Sequence, residues 1–249
     1  MWSNRTRERA GTPFATAGRS RILAALLLLA APAVMAAEDF PRGQVIDPVP
    51  SLRDPDQSYA LYLPSGYQAE RRWPIIYCFD PGGRGSVPVK LFKDAAETFG
   101  FILVGSNNSR NGPWEVILRA SRALWYDTHA RFAVDDGRVY AAGFSGGARA
   151  ACGLGKMLSI PLTGVIGCAA GLPEWLEPGD MAGVSWFGTV GLRDFNFREM
   201  QELERQLNRQ GNPCRLRLFH GSHSWPPAKL ASEAIAWLEA QSAATALKE

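Results

Sequence analysis

The chain has 249 residues, 46% of them hydrophobic and 20% charged, and a formal net charge of +3. This length is enough for one large α/β domain with a full core, and we find no low-complexity tract or internal repeat. Residues 1–36 carry five basic residues and one acidic residue, a net +4, so the rest of the chain has a net charge of −1. Charge therefore gives no support to a nucleic-acid partner.

The N-terminus has the pattern of a secretory signal peptide. Residues 1–21 contain five arginines, residues 22–35 form an apolar run, and small residues follow at Ala36. We predict cleavage after Ala36 and a single domain over residues 37–249. The alternative is a membrane anchor, but the apolar run is short for a span of about 20 residues. We therefore expect no membrane span in the mature chain, and a periplasmic or secreted location.

The remaining chain alternates between strand-like and helix-like runs. Continuous apolar stretches such as "WPIIYCF" are typical of strands buried on both faces, and helically spaced stretches separate them. Strands are predicted at residues 58–64, 73–79, 101–106, 138–144, 164–171, 184–191 and 215–221, and helices at 89–100, 113–133, 146–158, 197–210 and 228–242. This pattern predicts an α/β fold: a mostly parallel central sheet with helices on both faces and no large lid. In such sheets chemistry collects on the loops beyond the carboxyl ends of the strands.

The stretch "RVYAAGFSGGARAA" places Ser145 between a predicted strand and a predicted helix. Gly143 and Gly147 lie two residues on either side of it, giving the pattern G-x-S-x-G. A strand that turns sharply into a helix strains the serine backbone, and side chains at the two flanking positions would collide. The alternative is a glycine-rich turn with an incidental serine. The strand, turn and helix context favours a nucleophile.

A serine hydroxyl needs a base to act as a nucleophile, and the chain has three histidines. His129 falls inside a predicted helix. His220 belongs to the end of the last predicted strand, whereas His223 lies in the loop that follows, where its side chain can swing over the sheet edge. We predict His223 as the base and keep His220 as the alternative.

The base in turn needs an acid that fixes its tautomer and stabilises its charged form. Asp194 follows the predicted strand that lies between the serine and the histidine in the chain. Three rivals follow an earlier strand and look like surface loop residues: Glu174, Glu177 and Asp180. We predict Asp194 as the acid.

A tetrahedral intermediate at Ser145 would need hydrogen-bond donors for its oxyanion. The backbone N–H of Gly146 is expected to be one donor. The loop "DPGGRG" at residues 80–85 is expected to supply the other; Pro81 has no N–H, so the choice falls on Gly82 or Gly83, and we favour Gly82. A phosphate loop is excluded, because no Gly-Lys-Ser/Thr follows.

A second polar loop, "GSNNSRNGPWE", follows another predicted strand at the same sheet edge. Asn107, Asn108, Arg110 and Trp114 either line a substrate cleft or belong to a hydrogen-bonded loop that caps the next helix. Both interpretations stay open, and none of the four is placed in the catalytic set.

The four cysteines are Cys78, Cys152, Cys168 and Cys214. An exported protein can oxidise them, but sequence does not choose among the pairings. A bridge between Cys152 and Cys168 is one possibility, because a helix and the next strand pack closely; buried free thiols at Cys78 and Cys168 are the other. The spacings match no zinc pattern, so no metal is predicted.

Together, "VYAAGFSGG", the aspartate of "GLRDFNF" and the histidine of "HGSHSWPP" resemble the α/β-hydrolase superfamily. Within it the chain is similar to the exported polyhydroxybutyrate depolymerase-like and feruloyl esterase-like group, from Tyr59 to the C-terminus. The serine, acid, histidine order is that of these hydrolases. The resemblance implies a serine esterase with an acyl-enzyme, no cofactor, and a small-molecule or polymer ester as substrate. One departure is Asp80-Pro81, where many esterases have His-Gly.

Two other functions fit the same residues. The first is a peptidase or thioesterase on this scaffold, since folds are shared among functions. The second is a non-catalytic binding protein with a hydrolase fold, although such a protein has no reason to keep serine, acid and histidine together. The sequence carries no signal for the oligomeric state.

Overall fold

In a computed structural model, residues 40–246 are described. The predicted signal peptide at residues 1–36 lies outside them. The described part has eight strands, which form one sheet: β1 (Val45–Pro50), β2 (Ser58–Tyr62), β3 (Trp73–Phe79), β4 (Ile102–Ser106), β5 (Val134–Phe144), β6 (Gly164–Cys168), β7 (Ser185–Gly191) and β8 (Cys214–Phe219). Its helices are α1 (Ser86–Phe99), α2 (Trp114–Arg131), α3 (Gly146–Leu158), α4 (Phe197–Arg209) and α5 (Ala228–Ala246), with a 3₁₀ turn at Pro178–Met181.

The strand order across the sheet is β1-β2-β4-β3-β5-β6-β7-β8. The β1–β2 and β2–β4 pairs are antiparallel, and the pairs from β4 to β8 are parallel. The chain moves from β3 to one side for β4 and to the other for β5, so the order reverses at β3. Phe79 at the end of β3 pairs with Gly143 of β5. The loops that leave these two strands therefore start side by side, at the kind of switch point where ligands bind in open α/β sheets.

Alternate residues of the strands from β2 to β7 enter two separate cores. In β3, Ile75, Tyr77 and Phe79 pack with residues of α2, α3 and α4, whereas Ile76 and Cys78 pack with α1 and α5. All seven β3 residues are buried, as the continuous apolar run "WPIIYCF" predicts for a strand covered on both faces. The predicted fold class, a mostly parallel sheet with helices on both sides, is confirmed.

Several element boundaries differ from the prediction, each for a local reason. Strand β1 was not predicted, because its sequence "VIDPVP" contains two prolines; it lies at the sheet edge, where proline is tolerated. Strand β6 ends at Cys168, because Ala169 has φ of 59° and leaves the extended region. Helix α1 begins at Ser86 and includes Pro88 in its first turn, where a missing N–H costs nothing.

The possible bridge between Cys152 and Cys168 is wrong: all four cysteines are free. Cys152 belongs to the core on the α2, α3 and α4 side, and Cys168 to the core on the other side of the sheet. Burial raises the pKa of each of these two thiols to about 12. Both are therefore protonated and inert in the folded protein at neutral pH.

Two further observations concern the described part of the chain. Across residues 40–246, no helix combines the length and apolar character that a membrane crossing requires. Within the same residues, no group of three or more His, Cys, Asp or Glu side chains is arranged to hold a metal ion.

Candidate active site

Ser145 lies in the sharp turn between β5 and α3, with φ of 54° and ψ of −123°. These angles are rare for a residue with a side chain, and neighbouring strands hold the residue in them. Its N–H donates to the carbonyl of Cys168 at 2.8 Å, and its own carbonyl accepts from Ala148 N–H at 2.9 Å. The strained turn presents the hydroxyl at the N-terminal end of α3, where the helix dipole is positive.

The glycines of G-x-S-x-G are required by close backbone approach. A Cβ added at Gly143 would lie 2.0 Å from the carbonyl oxygen of Gly147, and one at Gly147 would lie 2.1 Å from the carbonyl oxygen of Phe79. Both distances are far below van der Waals contact, and the atoms met belong to backbone that cannot move aside. The collision predicted from the sequence for these two positions is confirmed.

His223 lies between the serine and the acid. Its Nε2 is 2.9 Å from Ser145 Oγ, and its Nδ1 is 3.0 Å from Asp194 Oδ2 and 3.1 Å from Oδ1. With the proton on Nδ1, the ring donates to the carboxylate and accepts from the hydroxyl. The alternative base, His220, is exposed. His129 is engaged on α2, where its ring nitrogens contact Trp125 O and Asp136 Oδ1.

Asp194 follows β7 and its side chain is fully buried. Besides the His223 ring, its Oδ1 accepts from the N–H of Asn196 at 2.8 Å. Asn196 in turn donates from Nδ2 to the carbonyl of Ala169 at 2.8 Å, which ties this loop to the end of β6. The rival acid Asp180 is exposed and pairs with Lys156 at 2.7 Å. Asp194 is therefore fixed in orientation before any ligand arrives.

Two aromatic rings hold the imidazole of His223. The ring centroid of Phe144 is 4.7 Å from that of His223, and the ring of Phe195 stacks on it at 4.2 Å. Phe144 is buried, whereas Phe195 is 76% exposed. One ring thus belongs to the core, and the other covers the imidazole from the solvent side.

The other half of the site is the loop after β3. The N–H of Gly82 donates to Asp80 Oδ1 at 2.9 Å, and the N–H of Gly83 donates to the Asp80 carbonyl at 3.0 Å. Both N–H groups that were predicted as a second oxyanion donor are therefore hydrogen-bonded within their own loop. In the described part of the chain, by contrast, the N–H of Gly146 at the start of α3 has no acceptor.

Asp80 joins this loop to the His223 loop. Its buried carboxylate accepts a hydrogen bond from Arg84 Nε at 2.9 Å and another from the indole N–H of Trp225 at 3.1 Å. Trp225 lies two residues after His223 in the chain. Burial alone would raise the pKa of Asp80, but the hydrogen bonds from Arg84, Trp225 and the Gly82 N–H outweigh it and lower the pKa below its ordinary value. The carboxylate stays charged and holds both loops.

A cavity of about 340 Å³ opens beside Ser145. Its walls are mostly residues that the sequence prediction had not singled out. It is lined by Asn111, Gly112, Trp114, Ile117, Ser145, Gly146, Arg149, Phe195 and Asn196.

Of the four open candidates in "GSNNSRNGPWE", Trp114 lines this cavity. Asn107 and Asn108 instead brace the loop: Asn107 Oδ1 accepts from Gly85 N–H at 3.1 Å, and Asn108 Oδ1 accepts from Ser58 N–H at 2.8 Å. Arg110 pairs with Gly82 through backbone. Asn111 stands in the same stretch and was missed; its only sequence signal is its position before Gly112-Pro113.

Comparison with known proteins identifies the fold. No protein-family model matches the chain, and no curated protein matches it. Solved structures do match. A ferulic acid esterase matches at 19% identity and TM-score 0.59, over 77% of this chain and 95% of that one. An arylesterase matches at 10% identity and TM-score 0.62, over 83% of this chain and 88% of that one. An S-formylglutathione hydrolase from Staphylococcus aureus matches at 12% identity and TM-score 0.58, over 73% of this chain and 92% of that one. The chain has the α/β-hydrolase fold, as its motifs predicted.

Proposed function

We propose that this protein is a serine hydrolase that cleaves carboxylic esters through an acyl-enzyme. The observation that carries the proposal is the continuous contact from Asp194 through His223 to Ser145, with 3.0 Å and 2.9 Å at the two ends of one imidazole. A hydroxyl, a base and an orienting carboxylate in this sequence are the parts of an activated nucleophile. The names of the similar structures, all esterases or hydrolases, support the same class.

In the proposed first half-reaction, Ser145 Oγ attacks the carbonyl carbon of the ester as His223 Nε2 takes the hydroxyl proton. Asp194 keeps the imidazole in the required tautomer and stabilises the imidazolium that forms. The carbonyl oxygen becomes an oxyanion and accepts the N–H of Gly146. The intermediate then collapses, the bond to the alcohol oxygen breaks, and His223 returns the proton to the leaving alcohol.

In the second half-reaction, water attacks the acyl-Ser145 ester. His223 takes a proton from that water, a second oxyanion forms in the same position, and collapse releases the carboxylic acid. Ser145 recovers its proton from His223. The net change is one ester plus one water to one alcohol and one acid, and the groups that move protons belong to the chain itself.

The cavity beside Ser145 bears on the substrate. Its volume of about 340 Å³ is at the lower end of small-molecule sites. Trp114, Ile117 and Phe195 give it an apolar side. We propose a small ester, or the end of an ester polymer, as the substrate, with a short acyl group seated in this cavity.

The test is mass spectrometry of the protein after a fluorophosphonate ester probe, together with p-nitrophenyl acetate hydrolysis. We expect one adduct on Ser145. The adduct should be absent from Ser145→Ala, and its rate of formation should be much lower in His223→Ala. His220→Ala is the matched control and should label at the wild-type rate. Wild-type protein that neither labels nor hydrolyses would overturn the proposal and favour a binding role, and faster turnover of thioesters or peptide amides than of esters would reassign the substrate class.

We also propose that the enzyme is exported to a periplasm or beyond the cell. The support is the basic segment, the apolar run and the small residues that end at Ala36. Intact-mass analysis after expression of the full chain in a Gram-negative host tests this. A mature protein that begins at Ala37 and is found in the periplasmic or culture fraction is expected; retention of residues 1–36 on the product would contradict it.

A further inference from the structure

This inference rests on the proposed ester hydrolysis and concerns the second oxyanion donor. One donor is available, the N–H of Gly146. The two glycine N–H groups expected to supply the other are engaged: Gly82 with the Asp80 carboxylate at 2.9 Å and Gly83 with the Asp80 carbonyl at 3.0 Å. Freeing the Gly82 N–H would remove one of the hydrogen bonds that stabilise a buried charge, which is costly.

A side-chain amide lies beside Gly146. The side chain of Asn111 packs directly on Gly146: a Cβ added there would lie 1.8 Å from Asn111 Oδ1 and 3.3 Å from Nδ2. Asn111 lines the same cavity as Ser145. Across residues 40–246 its carboxamide makes no hydrogen bond, and the residue is exposed. A polar group at the nucleophile, with no partner of its own, is free to bind a ligand.

The backbone fixes Asn111 in this position. Its N–H donates to the carbonyl of Pro81 at 2.9 Å, and the preceding residue, Arg110, forms a bridge with Gly82. The loop after β4 is thus held against the loop after β3. Helix α2 starts three residues after Asn111, behind Pro113. A short anchored segment of this kind holds a side chain more precisely than a free loop would.

Arg149 and Asn196, two of the other polar side chains that line the cavity, are already committed. Asn196 donates from Nδ2 to the carbonyl of Ala169 at 2.8 Å. Arg149 contacts Glu199 Oε1 at 2.8 Å and also donates to the carbonyl of Leu172. Its guanidinium therefore braces the loop after β6. The three atoms nearest to a Cβ built on Gly146 all belong to Asn111, whose amide donors are unused in the described part of the chain.

We propose that the Asn111 carboxamide is the second oxyanion donor, acting with the N–H of Gly146. The amide presents its NH₂ to the developing oxyanion; a half-turn about its last side-chain torsion exchanges the nitrogen and oxygen positions. Asn111 is thus a catalytic residue, and the departure at Asp80-Pro81 is explained: the loop after β3 no longer supplies the donor, and its N–H groups serve to hold Asp80.

The experiment compares Asn111→Ala and Asn111→Asp with wild type in p-nitrophenyl acetate hydrolysis. Loss of one oxyanion donor lowers kcat by about 10²-fold with little change in KM, because the bond forms mainly in the transition state. Asn111→Asp keeps the shape but brings an anion to the oxyanion, so its kcat should fall further than that of Asn111→Ala. Asn208→Ala, an exposed asparagine on α4, is the control and should leave both constants unchanged.

Inhibition by phenylboronic acid gives a second readout that a merely structural role would not move. The boronate formed on Ser145 carries an oxygen at the oxyanion position, so the inhibition constant should rise in Asn111→Ala by a factor similar to the fall in kcat. Thermal unfolding shows which variants are folded. If Asn111→Ala does not fold, Asn111→Asp is the variant that tests the proposal.

The outcomes separate this inference from the proposed function. Wild-type protein without hydrolysis or Ser145 labelling defeats the proposed function itself. An active wild type with Asn111→Ala within threefold of its kcat overturns this inference and returns the role to Gly82. A rise in KM alone, with kcat and boronate inhibition unchanged, would also overturn it, since it would make Asn111 a substrate-binding residue.

Discussion

The two halves of the site are built in opposite ways. On the side of β5, β7 and β8, the polar groups of Ser145, His223 and Asp194 are already in mutual contact. On the side of β3 and β4, the N–H of Gly82 bonds to Asp80 within its own loop, and Asn111 presents unused donors to the cavity beside Gly146 of α3.

The difference separates two tasks. In the proposed reaction, activation of the Ser145 hydroxyl needs fixed distances between side chains, and the contacts of His223 with Ser145 and Asp194 would supply them. In the proposed reaction, stabilisation of the oxyanion needs donors that have no partner before the transition state. Asn111 of the second half and the N–H of Gly146 would be those donors, while the buried charge of Asp80 is already hydrogen-bonded. Asp80 and Trp225 connect the halves through a 3.1 Å hydrogen bond.

The largest effect should come from the preassembled half. Asp194→Asn keeps the side-chain shape, but an amide cannot stabilise the imidazolium and favours the wrong tautomer of His223. We expect kcat for p-nitrophenyl acetate to fall by about 10³–10⁴-fold with unfolding temperature little changed. Asp180→Asn, at a surface ion pair with Lys156, is the control. A loss of less than tenfold in Asp194→Asn would mean that the carboxylate is not needed.

The second prediction concerns the charge that organises the other half. The folded-state pKa of Asp80 is lowered, so its stabilisation is fully present above the ordinary carboxyl pKa of 3.8 and is lost as pH falls through the folded value. Asp80→Asn should lower the free energy of unfolding by about 2 kcal/mol at pH 7. Urea denaturation across pH should show the difference from wild type shrinking below pH ~4; a difference that does not vary with pH would contradict this.

A third change breaks the link between the halves. Trp225→Phe removes the indole N–H that bonds to Asp80 and keeps a ring to pack on Phe144 and Phe92. We expect kcat to fall about tenfold, because the His223 loop loses an anchor, and the free energy of unfolding to fall by about 1–2 kcal/mol. Trp237→Phe, on α5 against Phe187, is the matched control. It should leave kcat unchanged, and equal kcat losses in the two variants would refute the link.

The smallest effect is expected at Phe195, the exposed ring that stacks on His223. Phe195 stacks on His223 at 4.2 Å but is 76% exposed, and Phe144 holds the imidazole from the other side. Phe195→Ala should lower kcat by less than about fivefold, since the ring stays positioned by Asp194 and Phe144. Phe99→Ala, at the exposed end of α1, provides the comparison. A loss above tenfold would show that the outer ring positions the base.

The first half of the site could be predicted from the sequence. Ser145, Asp194 and His223 each follow a strand of a parallel sheet, so their side chains meet at one edge whatever the details of the loops. The glycines of the turn at Ser145 report a steric requirement that is visible in the residue types.

The second half could not be predicted in the same way. Whether the Gly82 N–H faces the cavity depends on a hydrogen bond to Asp80, and that carboxylate is held by Arg84 and by Trp225, far away in the chain. The proposed role of Asn111 has no sequence motif, because it depends on the bridge that joins Gly82 to Arg110, the residue before Asn111. Such arrangements are set by tertiary packing between residues far apart in the chain, which local sequence patterns do not show.

The separation of the two cores has a consequence for the oxidation of the buried cysteines to disulfides. Cys152 lies on one side of the sheet, and Cys78 and Cys168 lie on the other. Strand β5 stands between the strands that carry the last two, so two strand spacings alone put their Cα atoms roughly 9–10 Å apart. Cys168 also lies two residues further along, since Cys78 pairs with Ala142 and Cys168 with Phe144. A disulfide needs Cα atoms within about 7 Å. The sheet separates Cys152 from the other two thiols, and the distance between strands separates Cys78 from Cys168, so an oxidant cannot join any two of these three cysteines in the folded chain.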